Sequence, residues 1–279
     1  MTVVLFLALA SSLTYGAADF LGGVAARDAH VLRVIVIAAP ASLLVELLLW
    51  PVVGATFASG AVTWGAASGV ASAAGFALLY RTLAIGPMSV LSPVTALVSA
   101  ALPVSVGLLE GETLSGLALG GMMLAFAAIV VVSGGADARA VRPSGKALVL
   151  AFGAGAAIAL QLVCLDQAPD DSGVAPLLVG RAVSSAVVLG AAFAVRSRLG
   201  DARPNLPACV AAGALDSLAN FAFLLAVRDG DLAVVAVITA LYPAGTVLLA
   251  RAFLAERIAP TQLAGLGLAA VAVSLLALG

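Results

Sequence analysis

The stretch LSGLALGGMMLAFAAIVVVSG, residues 114–134, contains no charged side chain. Wound as an α-helix at about 1.5 Å per residue, it matches the roughly 30 Å of a bilayer's hydrocarbon core. Interruptions by charge, Pro and Gly divide the rest of the chain into similar runs. In the first half these lie near 3–24, 31–53, 61–84 and 88–109, followed by 114–134 itself. The second half gives 146–165, 174–195, 207–228, 231–254 and 260–278. Of the 279 residues, 63% are hydrophobic and 10% charged, with a mean hydropathy of +1.20. Ordinary soluble domains carry about a quarter charged residues, so this much apolar surface needs lipid as its solvent. Long apolar runs without strict alternation exclude a membrane β-barrel. The expected fold is therefore an all-α integral membrane protein of about ten transmembrane helices.

The net charge of −1 and the lack of any dense Lys/Arg cluster exclude a nucleic-acid partner. Cys164 and Cys209 are isolated and imply no disulfide framework. Residues 1–18 lack the basic start of a secretory signal, and their apolar run continues to about Val24, so they read as a retained first span.

Displacing the chain by 144 positions lays Thr95-Ala96-Leu97 on Thr239-Ala240-Leu241, Gly86 on Gly230 and Glu112 on Glu256. Leu119 and Gly121 meet Leu263 and Gly265, and a slightly different offset brings Arg33 onto Arg181. Matches among Ala, Leu and Gly come cheaply, whereas charged residues are rare here, so Glu and Arg carry the argument. Two repeats follow: residues 1–134 and 146–279, joined by a linker at 135–145. Five spans is an odd number, so the second copy is inverted with respect to the first. Inverted repeats enclose a central cavity near the membrane midplane in many secondary transporters.

Two stretches carry a resemblance. One runs from Leu83-Ala84-Ile85-Gly86-Pro87 through Pro93-Val94-Thr95-Ala96-Leu97 to Gly111-Glu112-Thr113-Leu114-Ser115; the other is 233–263 with Ala255-Glu256-Arg257-Ile258. Together they resemble the EamA domain of the drug/metabolite transporter superfamily. The resemblance implies a ten-helix, two-repeat fold around a central cavity and movement of small metabolites, often export of amino acids or related compounds. It is loosest in the first span, where family members often carry Trp-Gly and this chain has Tyr15-Gly16.

Charges inside lipid spans cost at least about 2.5 kcal/mol each and usually face protein or a wet cavity. Asp216 lies deepest, and Asn220 follows one helical turn later on the same face. This pair reads either as a substrate-binding or proton-carrying site or as an interhelical hydrogen bond. Tyr15, Asp19, Gln161, Thr239 and Tyr242 are further candidate substrate contacts. Asp19 and Arg33 are 14 residues apart, and Asp166 and Arg181 are 15 apart. Inversion would place these pairs at opposite membrane faces as ion-pair gates, against the alternative of side chains snorkelling at helix ends. Pro93, Pro103 and Pro243 lie inside spans and are candidate hinges. Gly65/Gly69 and Gly116/Gly120 have the spacing of close helix contacts.

Enzymatic signatures are missing from the sequence. His30 is the only histidine, Asp166, Asp170 and Asp171 read as a solvated loop, and Gly265-Leu266-Gly267 lies inside a span. No metal or cofactor is expected, and no nucleotide-binding loop is present to drive transport. The expected function is a secondary transporter, more an exporter than an importer, of a small polar or amphipathic metabolite, working by alternating access. A lipid-linked carrier flippase or an accessory membrane subunit is the rival. Expected partners are the small-molecule substrate, membrane lipid and, if Asp216 carries them, protons. A multi-pass protein of the plasma membrane, monomeric or homodimeric, is the corresponding setting. Counting Lys and Arg puts both termini outside the cell, whereas the resemblance implies both termini in the cytoplasm.

Overall fold

The computed structural model describes residues 2–85, 88–133, 144–246, 249 and 260–278, without the side chains of residues 28, 88–90, 93, 132, 133 and 198. Ten α-helices follow one another among the described residues: α1 Thr2–Asp28, α2 Val31–Val53, α3 Ser59–Ile85, α4 Met88–Leu109, α5 Gly116–Ser133, α6 Gly145–Asp166, α7 Ala175–Ala194, α8 Leu206–Arg228, α9 Leu232–Thr239 and α10 Pro260–Leu278. Seven are long and apolar enough to cross a membrane, and Val94–Leu109, Gly116–Val131 and Leu232–Thr246 are shorter apolar segments. The protein is an all-α, multi-pass membrane protein. The turn at Gly86-Pro87, linker residues 135–143, Glu256 and the far end of the ninth span lie outside the described residues.

Helix starts follow local chemistry. Ser144 Oγ accepts the Ala147 amide at 3.2 Å, and Asn205 Oδ1 accepts the Ala208 amide at 3.0 Å. Each satisfies a donor that the first helical turn leaves without a partner. Asp231 occupies the same position before α9 but makes no side-chain cap. Glu112 does this from the α4–α5 loop, accepting Leu232 N at 2.6 Å and Ala233 N at 3.0 Å. Partial burial pushes the Glu112 carboxyl up, against the two amides that pull it down. A loop of the first half thus holds a helix of the second.

The outer surface is greasy: Leu48 is 74% exposed and Phe6 71%. The interior is built largely of Ala, Ser and Gly, which lets backbones approach. α1 packs on α8 and α6 on α3, while α2 packs on α8 and α7 on α3. α2 meets α7, α4 meets α9, and α5 pairs with α10 at the periphery. The two glycine pairs separate here. At Gly65 and Gly69 a Cβ would press on the backbone of Pro176 and Gly180 in α7, whereas around Gly116 and Gly120 there is open space. Only the first pair is a helix contact.

The ninth span departs from the expected continuous helix. α9 ends at Thr239, Ala240 and Leu241 form a turn, and helix resumes over 242–246. Pro243 has no amide to give Thr239 O, and the bonds around it tighten to Leu241 N→Ile238 O (3.1 Å) and Ala244 N→Leu241 O (2.9 Å). Ser99 stands at the position of Pro243 in the first copy, and α4 runs unbroken through Pro93 and Pro103. Of the three candidate hinges, only Pro243 coincides with a break.

Candidate functional site

Near the middle of the bundle lies a small, partly enclosed cavity. Its wall includes six of the side chains singled out from the sequence: Tyr15, Asp19, Gln161, Asp216, Thr239 and Tyr242. The seventh, Asn220, is buried behind it and holds two of them. Its Nδ2 donates to Asp216 O at 2.8 Å and to Asp216 Oδ2 at 3.2 Å, and its Oδ1 accepts from Gln161 Nε2 at 2.6 Å. The i, i+4 spacing on α8 makes the first contact, and packing of α6 brings Gln161 to the second.

Behind the Asp216 side of the wall stands Arg181 on α7, 3% exposed. Its guanidinium pairs with Glu46 Oε1 on α2 at 3.2 Å and with Asp216 Oδ2 on α8, and it donates to Ser72 Oγ on α3 at 2.8 Å. The carbon of the same group stands 5.5 Å from the centre of the Phe76 ring. Ser217 Oγ donates to Glu46 Oε1 at 3.1 Å. Four helices thus converge on one cation at a depth where water is scarce. A guanidinium suits this role because its fork of donors stays charged and can serve several acceptors at once.

The gating pairs expected from chain proximity are corrected by this arrangement. Arg181 stands six residues, about 9 Å, past the start of α7. Asp166, the last residue of α6, accepts instead from Gln167 Nε2 at 3.0 Å. Asp19 sits nine residues, about 14 Å, before the end of α1. Arg33, at the head of α2, donates to the Gly200 carbonyl. In both pairs the partners lie at different depths, so each finds chemistry at its own level.

Ser72 and Phe76 escaped the sequence reading, and from the sequence alone Glu46, towards the end of the second span, could equally reach the membrane interface. Glu46 is fully buried and continues the face of Ile35, Ala38, Ala39 and Ser42 at helical spacing. That stripe of small and polar residues, set against Leu44, Leu47 and Leu48 on the exposed side, was the available signal. Several polar atoms in or near the wall have no protein partner: the Tyr15 and Tyr80 hydroxyls, Thr239 Oγ1 and Glu46 Oε2. Buried polar groups are normally satisfied, and such exceptions gather where a ligand or water completes the set.

The loops divide by charge. Contacts between Glu112 and α9, Gln167 and Glu110, Ala55 and Gly173, and Arg228 and Gly173 gather one set of loops at one end. That end carries Glu110, Glu112, Asp166, Asp170, Asp229 and Asp231, with Arg228. The Arg33–Gly200 contact marks the other end, where Arg27, Arg81, Lys146, Arg196 and Arg203 lie.

Residues 145–278 match the sequence model described as the EamA-like transporter family. A solved structure titled "Crystal structure of protein" is similar in fold, with a TM-score of 0.76 at 14% identity over 100% of this chain and 97% of that one. No curated protein matches the chain by sequence.

Proposed function

We propose, from the match of residues 145–278 to the EamA-like transporter family, that the chain is a member of that family and a secondary exporter of a small polar or amphipathic metabolite. The observation that carries this reading is the mid-membrane cavity, whose wall is polar at Asp19, Gln161, Asp216 and Thr239 and aromatic at Tyr15, Phe76 and Tyr242.

Alternating access is supported by the helix pairings. Exchanging each helix for the one five places along converts α1 on α8 into α6 on α3, and α2 on α8 into α7 on α3. That is the pattern of two inverted repeats, 1–134 and 146–279, joined by 135–145. Rocking one repeat on the other would open the cavity to each side in turn, and the turn at Thr239–Leu241 gives the wall a place to bend.

The basic end of the bundle is read as cytoplasmic and the acidic end as external, in the plasma membrane, with both termini outside. A phosphatase fused to the C-terminus should then be active. An inactive phosphatase fusion, with an active fluorescent protein at the same site, would reverse the orientation.

The experiment for the carrier reading begins with metabolite profiles of cells with and without the protein and continues with flux of the hits into proteoliposomes. Thr239→Leu adds bulk to the cavity wall at an overpacking cost of about 1–3 kcal/mol. Flux should fall about tenfold or more, equivalent to about 1.4 kcal/mol, while the protein stays monodisperse. Unchanged flux in this variant would place the route elsewhere.

A further inference from the structure

The charges around the cavity do not balance. Three carboxylates, Asp19, Glu46 and Asp216, face one guanidinium, Arg181. Arg181 is committed to Glu46 and Asp216, the two carboxylates behind the wall and at its edge. Asp19 borders the cavity on α1 and has neither an ion pair nor a hydrogen bond among the described residues. Tyr15, Tyr80 and Tyr242 lie within electrostatic reach of it, as does Asp216. None of these supplies a positive charge, and Asp216 adds a second negative one.

A carboxylate in a low-dielectric wall is costly until a proton or another cation neutralises it. A metal ion is a poor fit, since no three His, Cys, Asp or Glu side chains converge among the described residues. The aromatic lining points to another cation. Tyr15, Phe76 and Tyr242 offer ring surface in the wall that holds Asp19, and ring faces attract soft, weakly hydrated ammonium groups when both are removed from water.

We infer that the cavity binds an organic cation, with Asp19 balancing an ammonium group and the aromatic residues holding its apolar body. The inference rests on the carrier reading for its physiological meaning and on Asp19 and its surroundings for its chemistry. Anionic metabolites are disfavoured at such a site, and a neutral molecule of the same shape leaves Asp19 without a counter-charge.

The test uses the full chain in detergent and three probes of similar size: benzyltrimethylammonium, its uncharged carbon isostere neopentylbenzene, and phenylacetate. Benzyltrimethylammonium carries no exchangeable proton, so its binding is separate from any proton traffic. Calorimetry should show binding of the ammonium at least about tenfold tighter than of either other probe, which is about 1.4 kcal/mol. Asp19→Asn should lose that preference and Asp19→Glu should keep most of it. Thermal unfolding of all three proteins separates loss of the site from loss of the fold.

No ammonium binding by the wild type, equal binding of the neutral isostere, or full ammonium affinity in a folded Asp19→Asn overturns the inference. Proteoliposome flux separates the two readings. Selective ammonium binding without flux of any compound would leave the site and remove the carrier. Flux of neutral or anionic compounds that ignores Asp19→Asn would leave the carrier and remove the site.

Discussion

Arg181→Ala should lower stability by about 3–5 kcal/mol, the usual cost of breaking a buried ion pair by removing one partner. The loss is a large fraction of the roughly 5–15 kcal/mol that keeps a typical domain folded. Its cause is what stays behind: Glu46 and Asp216, 0% and 5% exposed, face each other without the cation between them. Ser72 loses its donor and the Phe76 ring its cation as well. The thermal midpoint in detergent measures the effect. A triple variant, Arg181→Met with Glu46→Gln and Asp216→Asn, should recover most of the stability, because an uncharged network of similar volume needs no internal counter-ion. A wild-type midpoint for Arg181→Ala would mean that the three charges do not meet in the folded protein.

The second large effect is expected at Gly213 on α8. A Cβ there would press on the carbonyl oxygen, carbonyl carbon and Cα of Ala38 on α2. These are backbone atoms, so no rotamer change relieves the contact. Gly213→Val should force α2 away from α8, with an overpacking cost of about 1–3 kcal/mol or more. The displacement would also reach the site, since the same two helices carry the 3.1 Å contact between Glu46 and Ser217. Gly120→Ala is the control. Nothing lies within 4 Å of its added Cβ, and replacing a helical Gly should be neutral or stabilising by up to about 1 kcal/mol. Equal midpoints for the two variants would remove the close α2–α8 approach from the account.

Much of the site was legible because its signals are local. Asp216 and Asn220 stand one turn apart on one helix, and their contact follows from helical geometry wherever that helix sits. Tyr15, Gln161, Thr239 and Tyr242 were recognisable as polar groups at mid-span, where lipid contact is unfavourable. The partner of Arg181 was not legible. Asp166 is 15 residues away in the chain and Glu46 is 135, yet Glu46 is the one in contact. Chain proximity misled because ends of successive helices are near each other only at the membrane face, while Arg181 is buried well below it.

Lipid as solvent, the number and approximate bounds of the helices, and the near-duplication at 144 residues are properties of the sequence alone, because apolar length and periodicity act within each segment. Which helices touch, where the ninth span turns at the cavity, and which carboxylate is left without a cation belong to the tertiary structure. Those outcomes depend on how closely small side chains let separate backbones approach, and on the depth at which each charge comes to rest.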